Sequence, residues 1–116
     1  AEDLEVPARD VLVVLDDFYL PPGTLRLRTA GGGGGHNGMD SIIRAFKTDR
    51  VSRLRIGIGQ PHPGGATDHV LSRFRPEERQ VIEEAIRTAA DAVSVWVVDG
   101  PELAMNRFNR TSPEEK

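Results

Sequence analysis

Three groups of residues in this 116-residue chain have types and spacing suited to chemistry. The first is Asp16-Asp17, which follows the branched apolar run V-L-V-V-L at 11–15. Carboxylates beyond the carboxyl end of a strand are where open α/β sheets gather ligands, although an Asp there also commonly turns the chain or caps the next segment. The second is residues 30–38, A-G-G-G-G-G-H-N-G. Consecutive glycines leave backbone N–H groups bare and allow close approach by another molecule, and His36 and Asn37 project from that surface. Gly35 and Gly38 flank the pair. The third group is cationic: Arg26, Arg28, Arg44, Lys47, Arg50, Arg53 and Arg55 give residues 26–55 seven basic and two acidic side chains, a local net charge of +5. Guanidinium and ammonium contacts to phosphate act locally whatever the total charge. The same residues could equally be scattered over several solvated faces.

The elements that must position these groups follow from periodicity. Residues 11–15 read as a strand buried on both faces, as in parallel or mixed sheets. Pro21-Pro22-Gly23 breaks the chain, and residues 24–28 alternate Leu25 and Leu27 with Arg26 and Arg28, a strand apolar on one side and cationic on the other. Met39, Ile42, Ile43 and Phe46 recur at helical spacing, which predicts a helix to about Lys47 with Asn37 as its N-cap. A glycine loop feeding such a helix offers donors and a positive dipole end to an anionic or carbonyl-bearing ligand. Glycine-rich runs also serve as linkers, but a spacer has no need of the H-N-G ending. A further strand carries Leu54, Ile56 and Ile58 on one side and Arg55, Gly57 and Gly59 on the other. Glycine weakens a strand, so the G-x-G alternation implies that something packs closely on that side.

Residues 60–67, Q-P-H-P-G-G-A-T, suit neither helix nor ladder and read as a loop able to cover a site. Pro76 then opens a long helix, with Glu77 and Glu78 in its first turn and Ile82, Ala85, Ile86, Ala89, Val93 and Val97 as its apolar stripe. Gly100 ends it, residues 101–108 form a short closing helix, and residues 111–116 a loose tail. Trp96 and Phe108 read as core, not as base-stacking platforms. Glu83 and Glu84 read as a solvated face.

Composition bounds the function. The chain is long enough for one domain, assigned to residues 1–110 with a flexible tail at 111–116. The absence of cysteine excludes disulfides and thiolate metal sites and is compatible with a reducing cytoplasm. The histidines at 36, 62 and 69 lack zinc-site spacing. No cofactor or metal is expected, and no apolar run is long enough to span a bilayer. A net charge of −3 argues by itself against a nucleic-acid binder, in tension with the basic middle third.

Several separated blocks, D-D-F-Y-L-P-P-G, L-R-L-R, G-G-H-N-G, L-R-I-G-I-G-Q-P, F-R-P-E-E-R and A-M-N-R-F-N, occur in an order that resembles bacterial peptidyl-tRNA hydrolase over residues 11–109. The resemblance implies an α/β fold, a mixed sheet flanked by helices of the phosphorylase/hydrolase-like kind. It covers the C-terminal three-fifths of that family, truncated at the N-terminus, with no counterpart of the segment bearing the family's catalytic His. Its implied activity is cytoplasmic, metal-free hydrolysis of the ester joining peptide to the 3′ end of tRNA by an enzyme monomeric at full length. A His activates water while an Asp, here Asp16, holds the imidazole tautomer. Asn37 would meet peptide backbone or the water, with His36, Gly35 and Gly38 beside it. Arg55, Arg26 and Arg28 match the basic positions facing tRNA phosphate. Residues 17–23 would be the family's gate loop, 30–38 its base loop and 60–67 part of its lid.

The match has departures. Leu15 stands where many members carry His, Tyr19 replaces a small or acidic gate residue, and Arg75 occupies the cap position of the long helix. The absent His matters most: these 116 residues are expected to turn over substrate negligibly alone. His36 could be proposed as a substitute base, but the family carries His there without using it so. A non-catalytic RNA-binding module of the same fold is the alternative. A truncation product with no role of its own is a further possibility, and it should expose sheet edges and apolar helix faces.

Overall fold

The computed structural model describes residues 6–60 and 74–109. A 3₁₀ turn at Ala8–Asp10 leads into strand β1 (Leu12–Asp17), followed by β2 (Leu25–Arg28), helix α1 (Asn37–Phe46), β3 (Ser52–Gly57), α2 (Pro76–Asp99) and α3 (Pro101–Phe108). The strands form one mixed sheet in the order β1-β3-β2. β1 runs parallel to β3, with Leu15 opposite Arg55, and β2 antiparallel to it, with Arg26 opposite Arg55 and Arg28 opposite Arg53.

Alternation divides the apolar residues between the sheet's two faces. Leu25, Leu27, Leu54 and Ile56 pack against Ala85, Ala89 and Ala92 of α2 and Ala104 of α3. Each large side chain so buried contributes about 1.5–3 kcal/mol, and the four alanines bring the helices close to the sheet. Trp96 and Phe108 pack on this cluster, as core. On the other face Leu15, Met39 and Val51 are buried with Val13, Ile42, Ile43 and Phe46, so α1 lies against β1.

Three expectations require correction. Residues 11–15 do not form a strand buried on both faces: Leu15 is buried, but Val14 is 48% exposed because, among the described residues, β1 is an edge strand with nothing over that position. The strand also continues through Asp17. The buried stripe of α2 runs through Ile82, Ala85, Ala89 and Ala92, leaving Ile86 and Val97 exposed, since the helix meets the sheet along its small residues. Asn37 is the first helical residue, and the N-cap is His36, whose Nδ1 accepts the Met39 N–H at 3.1 Å. At Arg75 the lack of a capping side chain is offset by Glu78, whose carboxylate accepts the Arg75 N–H at 2.9 Å.

The G-x-G alternation has its packing partner. A Cβ on Gly57 would overlap the Pro21 carbonyl, so the segment after β1 lies directly on β3. Hydrogen bonds from Gly59 N to Leu20 O (2.9 Å), Gly57 N to Thr24 O (2.7 Å) and Gly23 N to Gly57 O (3.1 Å) lace it there. Residues 61–73 and 110–116, which include His62, His69, nearly all of the expected lid and the tail, lie outside the described residues.

Candidate active site

The parallel pair β1/β3 ends beside the glycine loop, and a cavity of about 270 Å³ opens there, bordered by Leu15, Asp16, Asp17, Phe18, Tyr19, residues 33–37 and Arg55. Asp17 is anchored: its Oδ1 accepts the Tyr19 N–H at 2.8 Å, and its Oδ2 stands 3.7 Å from an Arg55 guanidinium nitrogen. Asp16 is exposed and, among the described residues, its side chain holds no hydrogen bond or ion pair. The pleat turns it away from the side of Leu15 and Asp17, and it reaches the cavity because β1 ends one residue later. An unpartnered carboxylate at that rim is available to accept a proton donor brought into the cavity.

The glycine loop is built in, not a linker. Arg53, only 2% exposed, donates Nη1 to Gly32 O (2.8 Å) and Nη2 to Gly31 O (2.9 Å) and Asp49 O (3.1 Å), while its Nε donates to Val51 O (2.8 Å). Arg55 Nη2 donates to Gly33 O at 3.1 Å. Two guanidiniums thus fix three successive glycine carbonyls, which sets where the loop delivers His36 and Asn37. Burial, and after it the Arg55 charge, pulls Arg53 below the ordinary arginine pKa, with Asp49 pulling the other way. The group stays charged, because arginine is not deprotonated in proteins. Gly33 is required for a further reason: a Cβ there would overlap the Asp40 carboxylate.

Beside the first cavity lies a second, of about 330 Å³, bordered by Arg26, Arg28, Arg53, Arg55 and the loop from Ala30 to Gly32. Among the described residues the Arg28 side chain donates only to the neighbouring Leu27 carbonyl (3.1 Å), and Arg26 has no ion pair. The basic stretch 26–55 therefore separates. Four arginines share one side of β2 and β3, whereas Arg44 and the C-cap residue Lys47 belong to α1.

A family model described as peptidyl-tRNA hydrolase matches residues 1–116. The chain belongs to the peptidyl-tRNA hydrolase family. It is 54% identical over 105 residues to the peptidyl-tRNA hydrolase of Chloroflexus aggregans, covering 89% of this chain and 55% of that protein. It is 48% identical over 100 residues to that of Syntrophomonas wolfei, covering 86% of this chain and 54% of that protein. Among solved structures, the peptidyl-tRNA hydrolase of Acinetobacter baumannii superimposes with a TM-score of 0.70 at 36% identity, covering 88% of this chain and 52% of that one. The chain spans about half the length of the relatives it matches, and the mixed sheet flanked by helices is the fold shared with that structure.

Of the residues matched to peptidyl-tRNA hydrolase motifs, the first cavity brings together Asp16, Gly35, His36, Asn37 and Arg55. Arg26 and Arg28 border the adjoining one. Gly38 borders neither cavity and lies under the His36 ring, where a Cβ would stand 3.0 Å from Cε1. Sequence reasoning overlooked the part played by Arg53 and by Asn109. Arg53 alternates with Arg55 along β3, a signal that placed it on the cationic side but gave no hint of burial. Asn109 clamps the edge of β2, its Nδ2 donating to Leu27 O at 3.0 Å and its Oδ1 accepting the Leu27 N–H. Only contact across 82 residues reveals that role.

Proposed function

We propose that this chain supplies the carboxylate, the amide and the phosphate-facing arginines for hydrolysis of the ester between peptide and the 3′ end of tRNA. In this reading Asp16 accepts a hydrogen bond from an imidazole, so that the ring's other nitrogen takes a proton from the water attacking the ester carbonyl. The ribose oxygen leaves with that proton. Asn37, with one donor and one acceptor group on its amide, holds peptide backbone or the water. His36 is a poor candidate for the base, because its Nδ1 already accepts the Met39 N–H. As the family resemblance implies, the imidazole is supplied from outside these 116 residues. Arg26, Arg28 and Arg55 face tRNA phosphate, and a peptidyl-tRNA substrate implies the cytoplasm, where ribosomes work.

The observation carrying this reading is that Asp16 and Asn37, 21 positions apart, border one cavity adjoining the arginine-lined one. The relatives carry the hydrolase name, which does not favour a non-catalytic RNA-binding module. A peptidyl-tRNA hydrolysis assay tests the proposal. The 116-residue chain should turn over negligibly, and robust hydrolysis would sink the outside imidazole. In the encoded full-length protein, Asp16→Asn should lower kcat by about 10²–10⁴-fold, the usual worth of positioned acid–base chemistry, with the fold unchanged.

A further inference from the structure

We infer that the RNA-facing surface continues past Arg26 and Arg28 into a separate cationic cavity formed by Arg9 and Arg50, which takes a backbone phosphate of the same RNA. This rests on the tRNA reading above and extends it to a part of the molecule that no motif match marked. The cavity, of about 420 Å³, is bordered by Arg9, Thr29, Ala30, Arg50, Ser52 and Pro101. Arg9 comes from the 3₁₀ turn before β1, Thr29 directly follows β2, Arg50 lies in the loop entering β3 and Pro101 opens α3. Four segments distant in sequence therefore meet at the end of the sheet away from Asp16. Two guanidiniums and two hydroxyls border it without any carboxylate, a donor-rich lining suited to a phosphate oxyanion. Arg9 and Arg50 are exposed and, among the described residues, neither has an ion pair.

Continuity favours a polymeric phosphate over a free one. Arg55 borders both the Asp16 cavity and the Arg26–Arg28 cavity, and Ala30 borders both the latter and the Arg9–Arg50 cavity. From Arg26 through the end of β2 to Thr29 the chain advances three residues, about 10 Å at an extended rise. That is on the order of three nucleotide steps along one strand of a duplex. A single backbone entering at the ester cavity would pass Arg26 and Arg28 and then turn at Ala30 round the end of the sheet to reach Arg9 and Arg50, because Ser52 and Pro101 lie on the α2/α3 side.

The test is the salt dependence of binding of a short acceptor-stem RNA hairpin to the full chain. Arg9→Gln/Arg50→Gln is compared with Arg26→Gln/Arg28→Gln and wild type, after circular dichroism has shown each to be folded. Each lost phosphate contact should reduce the slope of log K against log salt by roughly 0.7–0.9. The Arg9/Arg50 pair should lose between one and two such steps and several-fold in affinity at 0.1 M salt. If that pair leaves the slope at the wild-type value while the Arg26/Arg28 pair lowers it, the extension is wrong and the original RNA face stands. If neither pair changes it, the RNA-face reading fails and takes the extension with it. Inorganic phosphate shifting the Arg9 and Arg50 side-chain resonances without any change of RNA slope would assign the cavity to a free anion and overturn the proposal.

Discussion

Arg28 and Arg53 stand directly opposite each other on β2 and β3, yet Arg28 is exposed and Arg53 is 2% exposed. Like charges in register across an antiparallel ladder repel, and the fold answers by giving them different work. Arg53 turns inward and spends its donors on four backbone carbonyls, two of them in the glycine loop. Arg28 keeps its charge at the surface. The cationic side of this sheet thus contains one arginine that builds the site and others left to meet a ligand.

Replacing Arg53 should disable the loop before it touches anything else. Arg53→Met leaves the carbonyls of Gly31, Gly32, Val51 and Asp49 without this donor, and a cost of about 2–4 kcal/mol is expected from several unmade buried hydrogen bonds. Arg53→Lys should recover only part, since an ammonium cannot reproduce the planar fork. Urea denaturation with an unchanged m-value measures the loss, and faster amide exchange confined to residues 31–35 in the lysine variant locates it.

Gly33 and Asp40 form a testable pair. Gly33→Ala forces a methyl into the Asp40 carboxylate, whereas the nearest backbone atom, Asp40 N, would be 3.2 Å away. The single change should cost about 1–3 kcal/mol, as overpacking does. Combining it with Asp40→Ala should recover at least half of that, a coupling of about 0.5 kcal/mol or more in a double-mutant cycle. Strict additivity would show that the clash is with backbone instead.

His36 caps α1 through Nδ1. His36→Ala should therefore destabilise by about 1 kcal/mol, and His36→Asn or His36→Ser should restore most of it, because a short side-chain oxygen accepts the same kind of N–H. If the outside-imidazole reading holds, the restored cap also restores hydrolysis in the full-length protein. Stability regained without activity would give the His36 ring a direct part in the reaction.

Among the described residues no strand pairs with the outer edge of β2, and Asn109 pairs both polar groups of Leu27 there. Asn109→Ala should cost about 1–2 kcal/mol. Asn109→Asp should be no better, since a carboxylate accepts the Leu27 N–H but repels its carbonyl. Thermal unfolding of the two variants, with hydrogen exchange at Leu27 as the local probe, decides between them.

The sequence by itself determined where the elements lie and what they are made of. Alternating Leu and Arg made β2 two-sided, Pro76 and Gly100 bounded α2, and the ordered motif blocks carried the family. Each of these signals is local or a matter of order along the chain, so no folding was needed to read it. Tertiary structure decided which of several chemically equal residues went inside. Among seven basic side chains within 30 residues, only packing against the glycine carbonyls singled out Arg53 for burial. The same holds for Val14 and Val97, apolar by type but exposed at 48% and 67%, because a pattern states which side a residue takes and not whether anything covers that side. His36 displaced Asn37 as cap for a comparable reason: the two are adjacent, and the choice fell to the loop geometry that Arg53 and Arg55 impose. What brought Arg9 beside Arg50 was the meeting of four chain segments at one end of the sheet, a long-range event that leaves no periodicity behind.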